Sequence, residues 1–240
     1  MAAPTRLSNQ RYDFPDPETA LEEPNGLVAV GGDLAPKRLL AAYHAGIFPW
    51  YDDDDGPILW WSPDPRAVLR PAAIRIRRSL RKRINQARFR VTADRAFPNV
   101  IRRCAEPRTD ARGRLGSTWI TPRMQSAYIE LHEAGFAHSI ECWEGDELVG
   151  GLYGVSLGRL FFGESMFSRR SDASKIALVH LARQIEIWGF PIIDSQVMNP
   201  HMRSLGAEEV PRHVFLEILR HNVDAPTRRG PWTLDSRGME

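Results

Sequence analysis

Apolar and polar positions change period several times along the chain, and the changes mark its elements. Apolar runs at Ala137 to Trp143 and Leu148 to Val155, with a shorter one at Arg159 to Phe162, are separated by turn signals at Glu144-Gly145-Asp146 and Leu157-Gly158. Such runs joined by tight turns predict an antiparallel meander. The period then becomes helical: Ser171 or Asp172 can cap a helix running to Trp188, with Leu178, Leu181, Ala182, Ile185 and Trp188 on one stripe and Gly189 as its stop. Pro191 to Val197 returns as a strand, and Arg212 to His221 reads as a last helix. Upstream, short strand signals at Ala67 to Leu69 and Phe89 to Thr92 accompany helical spacing at Phe97 to Cys104 and Pro122 to Ala134. A meander followed by strand-helix-strand predicts a mixed sheet with helices, and ligands in such sheets sit beyond strand ends where neighbours diverge.

Residues 1–62 differ in texture. Pro and Gly punctuate them, and the one clear helix is Ala35 to Ala45, with Asp33 available as a cap, Pro36 in the first turn and Gly46 at the end. The fold expected is α+β: a small N-terminal α/β domain over 1–62, then a larger mixed-sheet domain with flanking helices over 63–240. The tail from Asp224 is rich in breakers and is expected to be irregular.

With 240 residues, 42% hydrophobic and 26% charged, the chain can bury a full core and has the balance of a soluble globular protein. No apolar run approaches the eighteen or so residues of a membrane span. The N-terminus lacks the pattern of a secretory signal, and two cysteines make no disulfide framework, so a cytoplasmic monomer is expected.

Charge is uneven although its sum is only +2. From Arg66 through Arg90 the chain has ten Lys or Arg and no acid. Such a run is either a solvated face or a contact for a phosphate backbone, and the predominance of Arg suits phosphate.

There is no P-loop, no G-x-G-x-x-G after a strand, no paired C-x-x-C and no H-E-x-x-H, and no metal is expected. Four polar clusters remain. Glu164, in Gly163-Glu164-Ser165-Met166-Phe167-Ser168, stands at the exit of an apolar strand, where it either caps a turn, pairs with an Arg or serves chemistry. Asp194-Ser195-Gln196 ends another apolar strand, as a satisfied polar strand end or as a carboxylate and an amide that hold an amine. Asn199, with His201 and Arg203, could be only a turn, and Tyr43 with Trp50, Trp60 and Trp61 is either core or a ligand wall.

Taken together the chain resembles the bacterial leucyl/phenylalanyl-tRNA protein transferase family. The matching segments, in family order, are Glu23-Pro24-Asn25-Gly26-Leu27, Gly31-Gly32-Asp33-Leu34, Gly46-Ile47-Phe48-Pro49-Trp50, Trp60-Trp61-Ser62-Pro63-Asp64-Pro65-Arg66, Thr118-Trp119-Ile120, Leu148 to Val155, Phe162 to Ser168, and Asp194-Ser195-Gln196.

The resemblance implies transfer of Leu or Phe, with Met tolerated, from aminoacyl-tRNA to the N-terminal Arg or Lys of acceptor proteins, which marks them for degradation. It implies a larger domain of acetyltransferase-like (GNAT-like) fold. No coenzyme A or other cofactor is expected, because the helix near Ser171 lacks the Gly-rich turn that cradles a pyrophosphate. By the same resemblance Asp194 and Gln196 hold the acceptor amine, and Glu164 orients the donor's ammonium. Leu152, Phe161 and Ile193 form its side-chain pocket, and Tyr43, Trp50 and Tyr128 place the terminal adenosine. Arg75, Arg77, Arg78, Arg81, Lys82 and Arg83 would grip the tRNA backbone. Leu152 stands where the family pattern has Met, and Phe162 where it has a smaller residue, and both changes bear on donor preference. Residues 110–116 read as an added loop. The rival readings are a coenzyme A acetyltransferase and a noncatalytic RNA-binding protein.

Overall fold

The computed structural model describes residues 3–107 and 118–235; the added loop at 110–116 lies outside them. A four-stranded sheet contains β1 (Thr5–Leu7), β2 (Leu27–Gly31), β3 (Phe48–Pro49) and β4 (Leu59–Trp61) in the order β1-β2-β4-β3. Helix α1 (Pro36–His44) connects β2 to the edge strand β3. The helix starts where expected: Pro36 needs no N–H partner in a first turn, and Asp33 Oδ1 accepts the N–H of Ala35 at 2.9 Å just ahead of it.

The larger sheet holds β5 (Arg66–Leu69), β6 (Arg90–Ala93), β7 (Ala137–Glu144), β8 (Glu147–Leu157), β9 (Leu160–Ser168), β10 (Ile193–Gln196) and β11 (Glu208–Val210), ordered β11-β5-β10-β9-β8-β7-β6. The predicted meander is β7-β8-β9, all antiparallel, and β10 pairs in parallel with β9. The helices are α2 (Arg78–Asn85), α3 (Phe97–Cys104), α4 (Pro122–Glu133), α5 (Ala173–Ile187), α6 (Pro200–Ser204) and α7 (Arg212–Asn222). Strand side chains alternate between two cores. Phe162 and Tyr153 face a core built with α1, α3, α4 and α7, which also takes in Trp60 and Phe48 of the first sheet. Phe161, Leu152 and Ile193 face a second core under α5. The start of α5 lies on β8, where a Cβ at Gly150 would come within 2.4 Å of Ala173 Cβ, so only glycine admits the helix there.

Two expectations need correction. The third strand of the meander does not stop at Phe162; it runs to Ser168, because Leu152, Gly151 and Gly150 of β8 pair with Met166, Phe167 and Ser168. Glu164 therefore lies within a strand. The basic run is not one surface: Arg66 is fully buried, while Arg70 pairs with Glu208 and Arg88 with Glu144. Its centre is instead the helix α2, whose only buried residue is Leu80; strand-like and helical spacing cannot be told apart in so polar a segment. The tail is irregular as expected, but it is packed through Trp232 into the second core.

Candidate active site

Two strand irregularities build the site. In the β8–β9 ladder Tyr153 pairs with Ser165 and Gly154 with Gly163, so Glu164 is an extra residue with no partner of its own. In the β10–β5 ladder Asp194 pairs with Val68 and Gln196 with Ala67, so Ser195 is passed over, and Gln196 takes a left-handed φ of 61°. Such bulges re-aim side chains. The parallel pairing of β9 with β10 ends at Phe162 and Asp194, and the two bulges face each other where the strands part.

Glu164 is the hub. Its Oε1 accepts from Tyr43 Oη at 2.8 Å and from Gln196 Nε2 at 2.9 Å, and its Oε2 accepts from Tyr128 Oη at 3.0 Å. The two tyrosine hydroxyls also touch each other. Burial pushes the Glu164 carboxyl up to about 7 against the lowering effect of the three hydrogen bonds. Burial, and then the Glu164 charge, raise Tyr43 and Tyr128 well above the usual tyrosine range, so both remain donors.

Behind Gln196 stands a second buried pair. Arg66 donates from Nε and Nη2 to the two oxygens of Asp194 at 2.9 and 2.7 Å, and Asp194 Oδ1 also accepts the backbone N–H of Gln196 at 2.9 Å. The Arg66 guanidinium lies between the rings of Phe48, at 4.9 Å, and Phe215, at 4.4 Å. Asp194 is fully buried with both oxygens engaged, and it fixes the bend at Gln196. Gln196, tied by its backbone to Asp194 and by its Nε2 to Glu164, keeps its Oε1 outside every hydrogen bond among the described residues.

A cavity of ≈ 830 Å³ opens beside this network, with Leu152, Phe161 and Ile193 among its walls as expected, together with Leu178 and Leu181 of α5. Glu164 supplies its buried acid, and Ser195, whose hydroxyl has no partner within the described residues, also lines it. Phe162 is absent from the walls; it points the other way, onto Tyr43 at 5.0 Å between ring centres.

The three residues expected around an adenosine differ in exposure. Tyr43 and Tyr128 are wholly enclosed with their hydroxyls spent on Glu164, whereas Trp50 is 42% exposed beside Trp61. Asn199 takes the turn reading, capping α6 by accepting from Met202 N–H at 2.9 Å. Arg75, Arg77, Arg78, Arg81 and Lys82 are exposed, and Arg83 reaches back to Asp172 at 3.2 Å. Arg66 was missed as a site residue. The signal was present, since an Arg heading a strand as apolar as Ala67-Val68-Leu69 must find a buried acid.

A sheet that splits between parallel strands, with a cavity and an amide held by a buried carboxyl at the split, has the form of an acyltransferase site. Comparison with known proteins specifies the family. Residues 68–220 match the family described as leucyl/phenylalanyl-tRNA protein transferase, and residues 32–64 match its N-terminal domain. A leucyl/phenylalanyl-tRNA–protein transferase of Nitrosospira multiformis is 55% identical over 227 residues, covering 95% of this chain and 96% of the relative. Those of Thiobacillus denitrificans and Azoarcus sp. are 56% and 58% identical, covering 96% and 90% of this chain and 98% and 90% of theirs. The chain belongs to the leucyl/phenylalanyl-tRNA protein transferase family.

Proposed function

We propose that an aminoacyl-tRNA ester and an acceptor amine meet where β9 and β10 part. The protein moves Leu or Phe, and less well Met, from tRNA to the N-terminal Arg or Lys of an acceptor protein, marking it for degradation. The observation that carries the site assignment is a single buried carboxyl, Glu164, at the edge of an apolar cavity. A Leu or Phe donor presents an apolar side chain beside an ammonium group, and that pair of features complements the cavity and Glu164.

An ester is already activated, so alignment can replace a covalent intermediate. The acceptor amine attacks the ester carbonyl, the new C–N bond forms, the bond to the ribose oxygen breaks, and the amine proton goes to that oxygen. Gln196 Oε1 accepts from the incoming amine. Asp194 and Arg66 act behind it, holding the left-handed bend, and Tyr43 and Tyr128 hold Glu164 in place. The adenosine is left to Trp50. Residues up to 62 thus supply the wall behind Glu164 through Tyr43, and the rest supply the cavity. The larger sheet takes an acetyltransferase-like form, with the meander continued by a strand that leaves its parallel neighbour.

A cytoplasmic monomer is proposed with this chemistry. Neither Cys104 nor Cys142 is in a disulfide, and no helix among the described residues is long and apolar enough to cross a membrane. The direct test is incubation with labelled Leu-, Phe- or Met-tRNA and a protein bearing N-terminal Arg. Transfer of the first two is the expected result, and transfer of none overturns the assignment.

The tRNA would lie on α2, where Arg77, Arg78, Arg81 and Lys82 point outward from a helix that buries only Leu80. Replacing these four by Gln should weaken tRNA binding about equally for different tRNA sequences and reduce the salt slope by roughly one for each phosphate no longer neutralised. An unchanged slope in filter binding from low to moderate salt would place the tRNA elsewhere.

A further inference from the structure

Phe161 of the cavity wall leans on a segment that lies beyond the stretch, 68–220, matched by the family's catalytic domain. Residues 224–235 run back over the α5 side of the sheet as an irregular strap. They are held at several points: Thr227 Oγ1 accepts Gly158 N–H at 2.9 Å, Gly230 N–H donates to Gly135 O at 3.1 Å, and Asp235 N–H donates to Gln184 Oε1 at 2.5 Å. The tightest fixing is at Trp232. Its backbone N–H donates to Asp94 Oδ2 at 2.6 Å and its indole N–H donates to Arg228 O at 2.9 Å.

The indole, 3% exposed, stacks on the His138 imidazole with 3.7 Å between centres and 5° between planes. Asp94 pins that imidazole in turn, at 2.9 Å from Nδ1. Trp188 meets the indole edge to face at 4.9 Å. On the β sheet, His138 is the cross-strand partner of Gly154. A Cβ at Gly154 would lie 2.6 Å from the Phe161 ring, so that ring rests directly on bare backbone. With Gly154 beneath it and Trp232 at 6.0 Å, Phe161 has little freedom to withdraw from the cavity.

We propose that Trp232 is a specificity-determining positioning residue: the strap uses its indole to set how far Phe161 stands into the donor cavity, and so how large an amino acid the cavity accepts. The inference rests on the assignment of that cavity to the donor side chain. The physical basis is that packed interiors respond to lost volume by relaxation of their neighbours. A shorter side chain at 232 leaves room behind Phe161, the ring retreats, and the cavity deepens in favour of the larger donor. His138, Asp94 and Trp188 hold the indole and do not face the cavity, so the effect has to pass through Phe161.

The test is a competition in which equimolar Leu-tRNA and Phe-tRNA supply one limiting acceptor peptide with N-terminal Arg, the two products being counted by mass spectrometry. Both donors meet the same enzyme molecules, so a loss of folded protein cancels from the ratio. The full-length variants are Trp232→Phe, Trp232→Leu, Phe161→Leu and the double variant Phe161→Leu with Trp232→Leu. One methylene of pocket is worth about tenfold or more in selection, so an indirect change should raise the Phe-to-Leu product ratio about threefold or more in Trp232→Leu, with a smaller rise in Trp232→Phe. Once Phe161 is Leu, the change at 232 should add little, the signature of coupled residues. A ratio within about 1.5-fold of the parent in both Trp232 variants, while Phe161→Leu shifts it, overturns the inference; that outcome is well below the size of a pocket effect. Equal slowing of both donors means that Trp232 supports the fold alone, and overturns it too. If Trp232→Leu gives no soluble protein, Trp232→Phe is read against the same limits. If Phe161→Leu also leaves the ratio unmoved, the donor-cavity assignment is what has failed.

Discussion

Replacing Glu164 by Gln is expected to lower kcat/KM for transfer by roughly thirty- to several-thousandfold at pH 8, the cost of about 2–5 kcal/mol for removing one partner of an enclosed charge pair. The same change should remove one contribution to the acid limb of the pH profile. With its carboxyl raised to about 7, Glu164 is half neutral at that pH, and a neutral carboxyl cannot hold the donor's ammonium by charge. Transfer by the parent protein should therefore fall more steeply below about pH 7 than transfer by Glu164→Gln, in which only protonation of the acceptor α-amine remains to limit it. A matching limb in both proteins, measured in single turnover with saturating donor, would show that another group is responsible.

Stability should move in the opposite sense. The folded pKa of Glu164 lies above its unfolded value near 4.5, so the folded state binds more protons between those two values. The stability this group contributes is complete below about 4.5 and is lost as pH rises through about 7, by an amount on the order of 3 kcal/mol. Denaturant titrations of the two proteins should diverge across that window, with the Gln variant gaining on the parent as pH rises. The activity limb and the stability loss have one cause: a buried carboxyl that must ionise to work.

Arg66→Met is the second change with a large expected effect. Arg66 and Asp194 are both fully buried, and removing one partner of such a pair costs about 3–5 kcal/mol because the other charge is stranded. At about 2–4 °C per kcal/mol for a chain of this size, Tm should fall by roughly 6–20 °C. Arg66→Lys keeps the charge and loses both the two-point fork and the fit between Phe48 and Phe215, so it should lie between the two. Pairing Arg66→Met with Asp194→Leu removes the stranded charge and should recover part of the stability. It should not recover transfer, since Gln196 N–H then has no Oδ1 to hold its bend. Restored activity in that double variant would remove Arg66 and Asp194 from the positioning role.

Much of this was legible along the chain. The meander, the helix after it and the returning strand follow from local periodicity and from Pro and Gly, which act over a few residues; the expected cap does not, since Asp172 turns to Lys175 and Arg83 and the Ser174 N–H goes to Ser168 Oγ instead. The family resemblance placed Leu152, Phe161 and Ile193 in one pocket, and strand alternation does send them to one face, whereas Glu164 and Gln196 stood out by themselves because polar groups ending apolar strands need a reason. Local pattern could not supply register. A bulge adds one residue opposite a partner that is remote in sequence, and it alone turns Glu164 into the unpaired hub of β9 and passes over Ser195 in β10.

The same limit explains the reassigned residues. Arg66 looked like one more member of a basic run, and becomes a buried partner because β5 inserts between β10 and β11, a neighbourhood gathered from 128 positions away. Tyr43 and Tyr128 kept their importance but are enclosed, since α1 and α4 pack together over Phe162 and turn both hydroxyls onto one carboxyl. The chain's order of residues thus specifies its elements and the chemistry it carries, because propensity and patterning are local. Which carboxyl holds an amide, which is neutralised by Arg and which ring a C-terminal Trp restrains follow from long-range packing, where burial and distance between remote segments set every interaction energy.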